Sequence, residues 1–164
     1  MAMVPEVTWK FRDGGAWKDV NSIELFRNKR VLIFSLPGAF TPTCSVFQLP
    51  AYEEAYDEIR EQMIDEVYCL SVNDSFVMNA WFDEQNIKKV KSIPDGNGEF
   101  THAMGMSVSK SNLGFGFRSW RYAMVVDQCE IEMTFVEEGK IGNCYQDPYM
   151  VSDPQTVLKY LRSK

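Results

Sequence analysis

The sequence predicts a single α/β domain over residues 1–164, on three observations. Two continuous apolar runs of strand length, "VLIFSL" at 31–36 and "EVYCLS" at 66–71, lack the in–out alternation of a half-solvated strand. They read as strands buried on both faces, and each is followed by a helical pattern, the order of a β-α-β unit. Two later runs, "RYAMVVD" and "EIEMTFVE", are joined only through Gln128-Cys129, which is the link of an antiparallel pair. A chain of 164 residues is long enough to bury a real core as one unit.

In chain order, "EVTWKF" and "GAWKDV" flank Arg12-Asp13-Gly14-Gly15 and predict a β-hairpin with a glycine-containing turn. Ser22 to Phe26 predicts a short helix capped by Asn21 or Ser22. "KRVLIFSLP" is the first buried strand. Residues 43–63 read as a helix with Phe47, Tyr52, Tyr56, Ile59 and Met63 on its inner side, bent by Pro50. "EVYCLSVN" is a second buried strand, and "DSFVMNAWFDEQ" a helix opened by Asp74 or Ser75. "IPDGNGEF" reads as a turn-rich loop. After the antiparallel pair, "SDPQTVLKYLRSK" places a cap and then Pro154 at the start of a last helix with a basic end. A β-α-β start and a β-β-α finish is the order of a thioredoxin-like fold, here with an N-terminal β-hairpin extension.

Composition narrows the function classes. The net charge is −6 with no basic stripe, which argues against a nucleic-acid groove. No apolar run is long enough to cross a bilayer, and "MAMVPEVTWKFRDGG" lacks the charged and hydrophobic regions of a secretory signal, so a cytoplasmic protein without a membrane partner is expected. The four cysteines, Cys44, Cys69, Cys129 and Cys144, include no C-x-x-C pair, and His102 is the sole histidine. A structural zinc site therefore has almost no support, and in a reducing cytosol the thiols are expected to be free. The "GNG" at 96–98 lacks the following glycine of a dinucleotide fingerprint and reads as a turn.

"SLPGAFTPTCS", residues 35–45, is the stretch that suggests chemistry. It puts Cys44 between a buried strand and the first turn of a helix, near unpaired backbone N–H groups and the positive end of the helix dipole. Such a setting favours a thiolate, the nucleophilic form. Thr41 is close enough in sequence for its hydroxyl to reach the sulfur, and Pro37 and Pro42 stiffen the loop while removing N–H donors. What a lowered thiol pKa gains in thiolate it largely gives back in lost nucleophilicity, so fast chemistry needs donors that stabilise the transition state. Arg121, at the mouth of a buried strand with Arg118 just before it, is the candidate cation.

"PGAFTPTC" contains P-x-x-x-T-x-x-C and resembles the active-site signature of peroxiredoxins of the type-five (type II) branch. "CLSVNDSFVMNAW", "PDGNGEFTHAMGM", "GFGFRSWRYAMVV" and the ending "VSDPQTVLKYL" resemble further blocks of that branch, over nearly the whole chain. The likeness extends to bacterial proteins in which this domain is fused to a glutaredoxin, and the chain stops where that second domain would begin. The resemblance implies a thiol-dependent peroxidase acting on hydrogen peroxide and alkyl hydroperoxides, without metal or organic cofactor. It implies that Cys44 is the peroxidatic cysteine, Thr41 its hydrogen-bonding neighbour, and Arg121 the stabiliser of thiolate and developing oxyanion. Pro37 would shield the sulfenic acid, and the N–H groups of Thr43 and Cys44 would complete the oxygen site. A homodimer with aromatic residues near the active-site loops is implied as well.

A sulfenic acid must meet a second thiol or risk over-oxidation. Cys69 matches a second cysteine of plant type II members, although a cysteine in a buried strand is usually a small hydrophobe. Cys144, in "EGKIGNCYQDPYM", does not align residue for residue with the resolving position of the animal proteins. Three resolvers stay open: Cys69, Cys144, or an external thiol, the last with glutathione and a glutaredoxin ahead of thioredoxin. A redox sensor that uses the same thiol to switch an interface is the competing class; retention of Thr41 and Arg121 favours turnover. A disulfide oxidoreductase is disfavoured by the missing C-x-x-C, and a Cys–His hydrolase by the isolation of His102 in a turn-to-helix segment.

Overall fold

Glycine makes the first turn. In a computed structural model that describes residues 2–164, Gly14 and Gly15 adopt φ of 57° and 82° and join β1 (Thr8–Asp13) to β2 (Ala16–Asn21). The Asn21 side chain accepts from the N–H groups of Ile23 and Glu24 and so caps α1 (Ser22–Phe26). There follow β3 (Arg30–Leu36), α2 (Leu49–Arg60), β4 (Glu66–Ser71) and α3 (Ser75–Glu84), the last capped by Asp74. Next come β5 (Lys91–Pro94), α4 (Glu99–Ala103) and a small hairpin of β6 (Ser107–Ser109) and β7 (Phe117–Ser119). The chain ends with β8 (Tyr122–Asp127), β9 (Glu130–Val136) and α5 (Pro154–Arg162), the last capped by Asp153.

The central sheet runs β5-β4-β3-β8-β9, with β3, β4 and β5 parallel and β8 antiparallel to both of its neighbours. Its inner strands bury both faces, which is why they read as unbroken apolar runs. Leu32, Phe34 and Leu36 of β3, with Val67 and Cys69 of β4 and Ala123 and Val125 of β8, face α2, α3 and α5. Val31, Ile33, Tyr68, Leu70, Met124 and Val126 face the other way, under Trp9, Phe26, Phe100 and Trp120. Gln128 and Cys129 turn β8 into β9 with φ of 52° and 72°, as the two-residue link requires. Among the described residues no helix is long and apolar enough to cross a membrane.

Three expectations are corrected. Residues 43–63 are helical only as far as Arg60, and not regularly so: Cys44–Gln48 form a π-helical turn, closed by the Leu49 N–H on the Cys44 carbonyl, which runs directly into α2. Pro50 sits at the start of α2, directly after the π-helical turn. The inner line is Gln48, Tyr52, Tyr56 and Ile59; Phe47 falls one residue out of that spacing and is 59% exposed. Met63 lies beyond the helix at φ 63° and is 82% exposed. The stretch "IPDGNGEF" is only partly loop, since Ile93 and Pro94 close β5 and Glu99 and Phe100 open α4. Pro94 is tolerated because β5 is an edge strand.

Candidate active site

The register of β3 against β8 builds the site. Ser35 pairs with Tyr122, so the residue before Tyr122 meets the chain just as it leaves β3 for the Pro37–Cys44 loop. Arg121 and Cys44, far apart in sequence, thereby come together at one end of the sheet. Arg121 Nη1 lies 3.4 Å from Cys44 Sγ. Both side chains are buried, Cys44 completely and Arg121 to within 1%.

Every nitrogen of the Arg121 guanidinium is engaged. Nη1 also donates to Gln48 Oε1, Nη2 donates to Asp147 Oδ1 at 2.6 Å, and Nε donates to the Pro148 carbonyl at 3.1 Å. The Tyr149 ring lies under it at 5.8 Å. Burial works against the charge, but Cys44 and then Asp147 more than offset it, and the guanidinium pKa sits above its ordinary value. A rigid fork with fixed partners is already oriented before any charge develops on the sulfur or on an oxygen beside it. Gln48, Asp147 and Pro148 were not anticipated. Gln48 stands four residues after Cys44, a helical spacing that would have found it; Asp147 lies in a loop that carries no periodic signal.

The loop before Cys44 is held by several bonds. Asn73, just past β4, accepts from the Ala39 N–H at 3.0 Å and from Ser71 Oγ at 2.6 Å. The Ser45 N–H donates to the Thr41 carbonyl, and Trp81 Nε1 donates to Ser45 Oγ, both at 2.9 Å. Thr41 departs from expectation, since its hydroxyl donates to the Gly38 carbonyl at 2.7 Å and not to the sulfur. A hydroxyl has one proton, so Thr41 Oγ1 keeps acceptor lone pairs for a ligand's O–H. Pro37 is buried, and its carbonyl accepts from Arg118 Nη1 at 3.0 Å. Arg118 reaches it because residue 38 is glycine: a Cβ there would lie 2.2 Å from that nitrogen.

The remaining cysteines are separate from this cluster or poorly disposed. All four are free. Cys69 lies on the Cys44 face of the sheet and is fully buried. Burial, and after it the proximity of Cys44, pushes the Cys69 thiol well up, with Arg121 opposing. Cys129 sits in the β8–β9 turn with its sulfur 3.4 Å from the Ile23 carbonyl. Cys144 is half-buried and packs on the opposite face of the sheet. His102 is exposed on α4. Among the described residues no His, Cys, Asp and Glu cluster could hold a metal ion.

Comparison with known proteins decides the family. The Redoxin family model matches residues 3–150. A peroxiredoxin of Rhizobium etli is 58% identical over 147 residues, covering 90% of this chain and 82% of the relative. The chain belongs to the peroxiredoxins. The hybrid peroxiredoxin hyPrx5 of Haemophilus influenzae is 51% identical over 158 residues, which are 96% of this peroxiredoxin and 64% of that longer chain. The crystal structure of the Plasmodium falciparum antioxidant protein, a 1-Cys peroxiredoxin, superposes with a TM-score of 0.94 at 39% identity, covering 99% of each chain. The fold is the thioredoxin-like fold of that family, with its central sheet and the N-terminal hairpin. This peroxiredoxin is accordingly a thiol peroxidase.

Proposed function

We propose that Cys44 is the peroxidatic thiol and that the enzyme reduces hydrogen peroxide and alkyl hydroperoxides through its sulfenic acid. The observation that carries this reading is the buried contact of Arg121 Nη1 with Cys44 Sγ, with the guanidinium fixed by Gln48, Asp147 and Pro148. The Cys44 thiolate attacks the terminal peroxide oxygen, an S–O bond forms and the O–O bond breaks. The products are the sulfenic acid and an alkoxide or hydroxide, which takes a proton. Arg121 and the N–H groups of Thr43 and Cys44 oppose the charge that develops on the leaving oxygen. Thr41 accepts the peroxide O–H, and Pro37 walls the sulfur off from water. Residues 1–164 act as one such domain.

The resolving thiol is external in this reading, with glutathione and a glutaredoxin as reductant ahead of thioredoxin. Cys69 is buried and its thiol held protonated, which makes it a poor attacker. Cys144 packs on the far face of the sheet. The hybrid Haemophilus relative and the 1-Cys Plasmodium neighbour point the same way. The enzyme works in the cytoplasm as a homodimer. Phe40, Val46 and Phe47, 52%, 63% and 59% exposed beside the active-site loop, supply the apolar contact.

The test is intact-protein mass spectrometry after one equivalent of peroxide without added thiol, followed by peptide mapping. The expected product is one added oxygen on Cys44. A loss of two hydrogens mapped to Cys44 with Cys69 or Cys144 would overturn the external resolver, and an unmodified Cys44 would overturn the peroxidatic role itself. Cys44→Ser is expected to abolish turnover, and Cys69→Ser and Cys144→Ser to leave glutathione/glutaredoxin-supported turnover largely intact.

A further inference from the structure

Two arginines approach the Cys44 loop, and among the described residues only one of them has a counter-ion. Arg121 is paired with Asp147. Arg118, on β7, is half-buried, and among the described residues the ion pairs involve Lys10, Arg30, Lys89, Arg121 and Arg162 but not Arg118. This chain has 23 acidic residues and a net charge of −6, yet among the described residues the half-buried guanidinium that holds the Pro37 end of the Cys44 loop pairs with no carboxylate. Its position is nonetheless fixed: Nη1 donates to the Pro37 carbonyl, the Phe115 ring lies 5.0 Å from Cζ, and Gly38 leaves the space it occupies. Among the described residues nothing accepts from the Nε–Nη2 edge of the fork, the edge that takes a carboxylate side-on through two N–H bonds.

We propose that Arg118 is an anion-binding residue for the second half-reaction, where it takes the carboxylate of a small, negatively charged thiol that attacks oxidised Cys44. This rests on Cys44 being the thiol that peroxide oxidises. The order of charges favours a thiol over an anionic peroxide. Before oxidation, a negative charge on Cys44 supports the Arg118 charge, which burial otherwise disfavours. Oxidation turns the thiolate into a neutral sulfenic acid. Arg121 still has Asp147, but Arg118 then has nothing. An anion arriving at that moment meets an uncompensated cation, whereas an anionic peroxide arriving earlier meets a thiolate of its own sign.

The thiolate sulfur of the incoming molecule attacks Cys44 sulfur, an S–S bond forms, the S–O bond breaks, and hydroxide leaves as water with the proton the thiol gave up. A second thiol then attacks the sulfur of the bound molecule. The small disulfide departs, and Cys44 returns as a thiolate.

The experiment uses protein oxidised with one equivalent of hydrogen peroxide and follows loss of the sulfenic acid by stopped flow. Three thiols of similar size and different charge serve as probes: 3-mercaptopropionate, 2-mercaptoethanol and cysteamine. Arg118→Gln should slow mercaptopropionate roughly tenfold more than mercaptoethanol, with cysteamine slowed least, and Arg118→Lys should fall between. Equal factors for all three thiols would overturn the proposal, because a merely structural role ignores the charge of the probe. Should the variants fail to fold, the parent protein decides. Added salt should slow mercaptopropionate more than mercaptoethanol, and an equal response of the two would refute it.

One further arm locates the anion. If Arg118→Gln slows oxidation by a carboxylate-bearing hydroperoxide relative to hydrogen peroxide and leaves the thiol preference unchanged, the carboxylate belongs to the peroxide and the proposal is wrong. Failure of the underlying reading is separately visible, as the absence of an added oxygen on Cys44 before any thiol is mixed.

Discussion

Replacing Arg121 with alanine removes the cation nearest the reactive sulfur while leaving Cys44 and its loop in place. In the transition state of the proposed reaction, negative charge leaves the sulfur and gathers on the departing oxygen, in a pocket where Cys44 and Gln48 are fully buried. Loss of one preorganised donor in such a site costs about 2–4 kcal/mol in the barrier, which is roughly thirty- to a thousandfold in rate. The upper part of that range is expected, because Arg121 supplies both charge and direction: Nη1 points at the sulfur only while Nε and Nη2 are anchored by Pro148 and Asp147. Arg121→Lys keeps the charge, but one ammonium cannot serve Pro148, Asp147, Gln48 and Cys44 together, so it should recover part of the loss and not all of it. The assay is the second-order rate constant for oxidation by hydrogen peroxide, followed through tryptophan fluorescence. Trp81 is a suitable reporter, since its Nε1 donates to Ser45 Oγ at 2.9 Å, one residue from Cys44. A denaturation curve for each variant separates lost chemistry from lost fold. An alanine variant that folds and reacts within twofold of the parent would refute the assignment of Arg121.

Glu137→Ala removes a buried carboxylate that accepts from the N–H groups of Met150, Val151 and Ser152 and from Ser152 Oγ. Water can replace it at Met150 and Val151 but not at fully buried Ser152, so a loss of about 2–4 kcal/mol in denaturant stability is expected. Gly38→Ala should change stability by no more than about 1 kcal/mol, because its Cβ meets the tip of a long side chain, which can swing out at the loss of its one bond to the Pro37 carbonyl. It should also reproduce the loss of thiol-charge preference seen in Arg118→Gln, read in the same stopped-flow assay. Arg30 donates to Glu132 at 3.0 and 2.8 Å and holds its carboxyl below the usual glutamate range, with Tyr160 assisting. Because the folded-state pKa is depressed, this contribution is present above the ordinary glutamate pKa and is lost as pH falls through the depressed value. Glu132→Gln should therefore flatten the acid side of a stability–pH profile and lower stability near neutrality; an unchanged acid limb would refute it.

The strands that carry the site were legible because burial on both faces leaves an unbroken apolar run, as in "VLIFSL", that few other environments produce. Cys44 stood out as a candidate for a related reason, since a thiol at the exit of such a strand and the entrance of a helix has few bland explanations. Arg121 followed from its place at the start of β8. The register that brings it to the sulfur is a long-range fact that local pattern does not contain. Phe47 and Met63 were misplaced because one face was extended through two breaks, the π-helical turn and the left-handed residue after α2. β5 was hidden by Pro94 and Asp95, residues that signal a turn. Asp95 is in fact nearly fully buried and accepts from Trp9 Nε1 at 3.0 Å and from Thr101. A tertiary network, absent from any local window, makes that burial tolerable.

The segment between β9 and α5 looks dispensable in sequence, yet the geometry makes it part of the site. It supplies Asp147 and Pro148 to Arg121, so the direction of the guanidinium depends on where this segment lies. Glu137 fixes the segment three residues further on, and Tyr52 of α2, the helix that follows Cys44, donates to the Ser152 carbonyl at 2.6 Å. Tyr52 also stacks on Phe34 of β3 with ring centroids 4.0 Å apart. Strand, helix and segment thus brace one another next to Cys44, and a fault at Glu137 can reach the sulfur through Arg121 or through Tyr52 and α2. Glu137→Gln keeps one acceptor oxygen and should therefore disturb activity less than stability, while Asp147→Asn, at an exposed residue bonded to Nη2, should do the reverse. If both variants lost activity and stability in the same proportion, the segment would be acting as general support for the fold and not as the frame that aims Arg121.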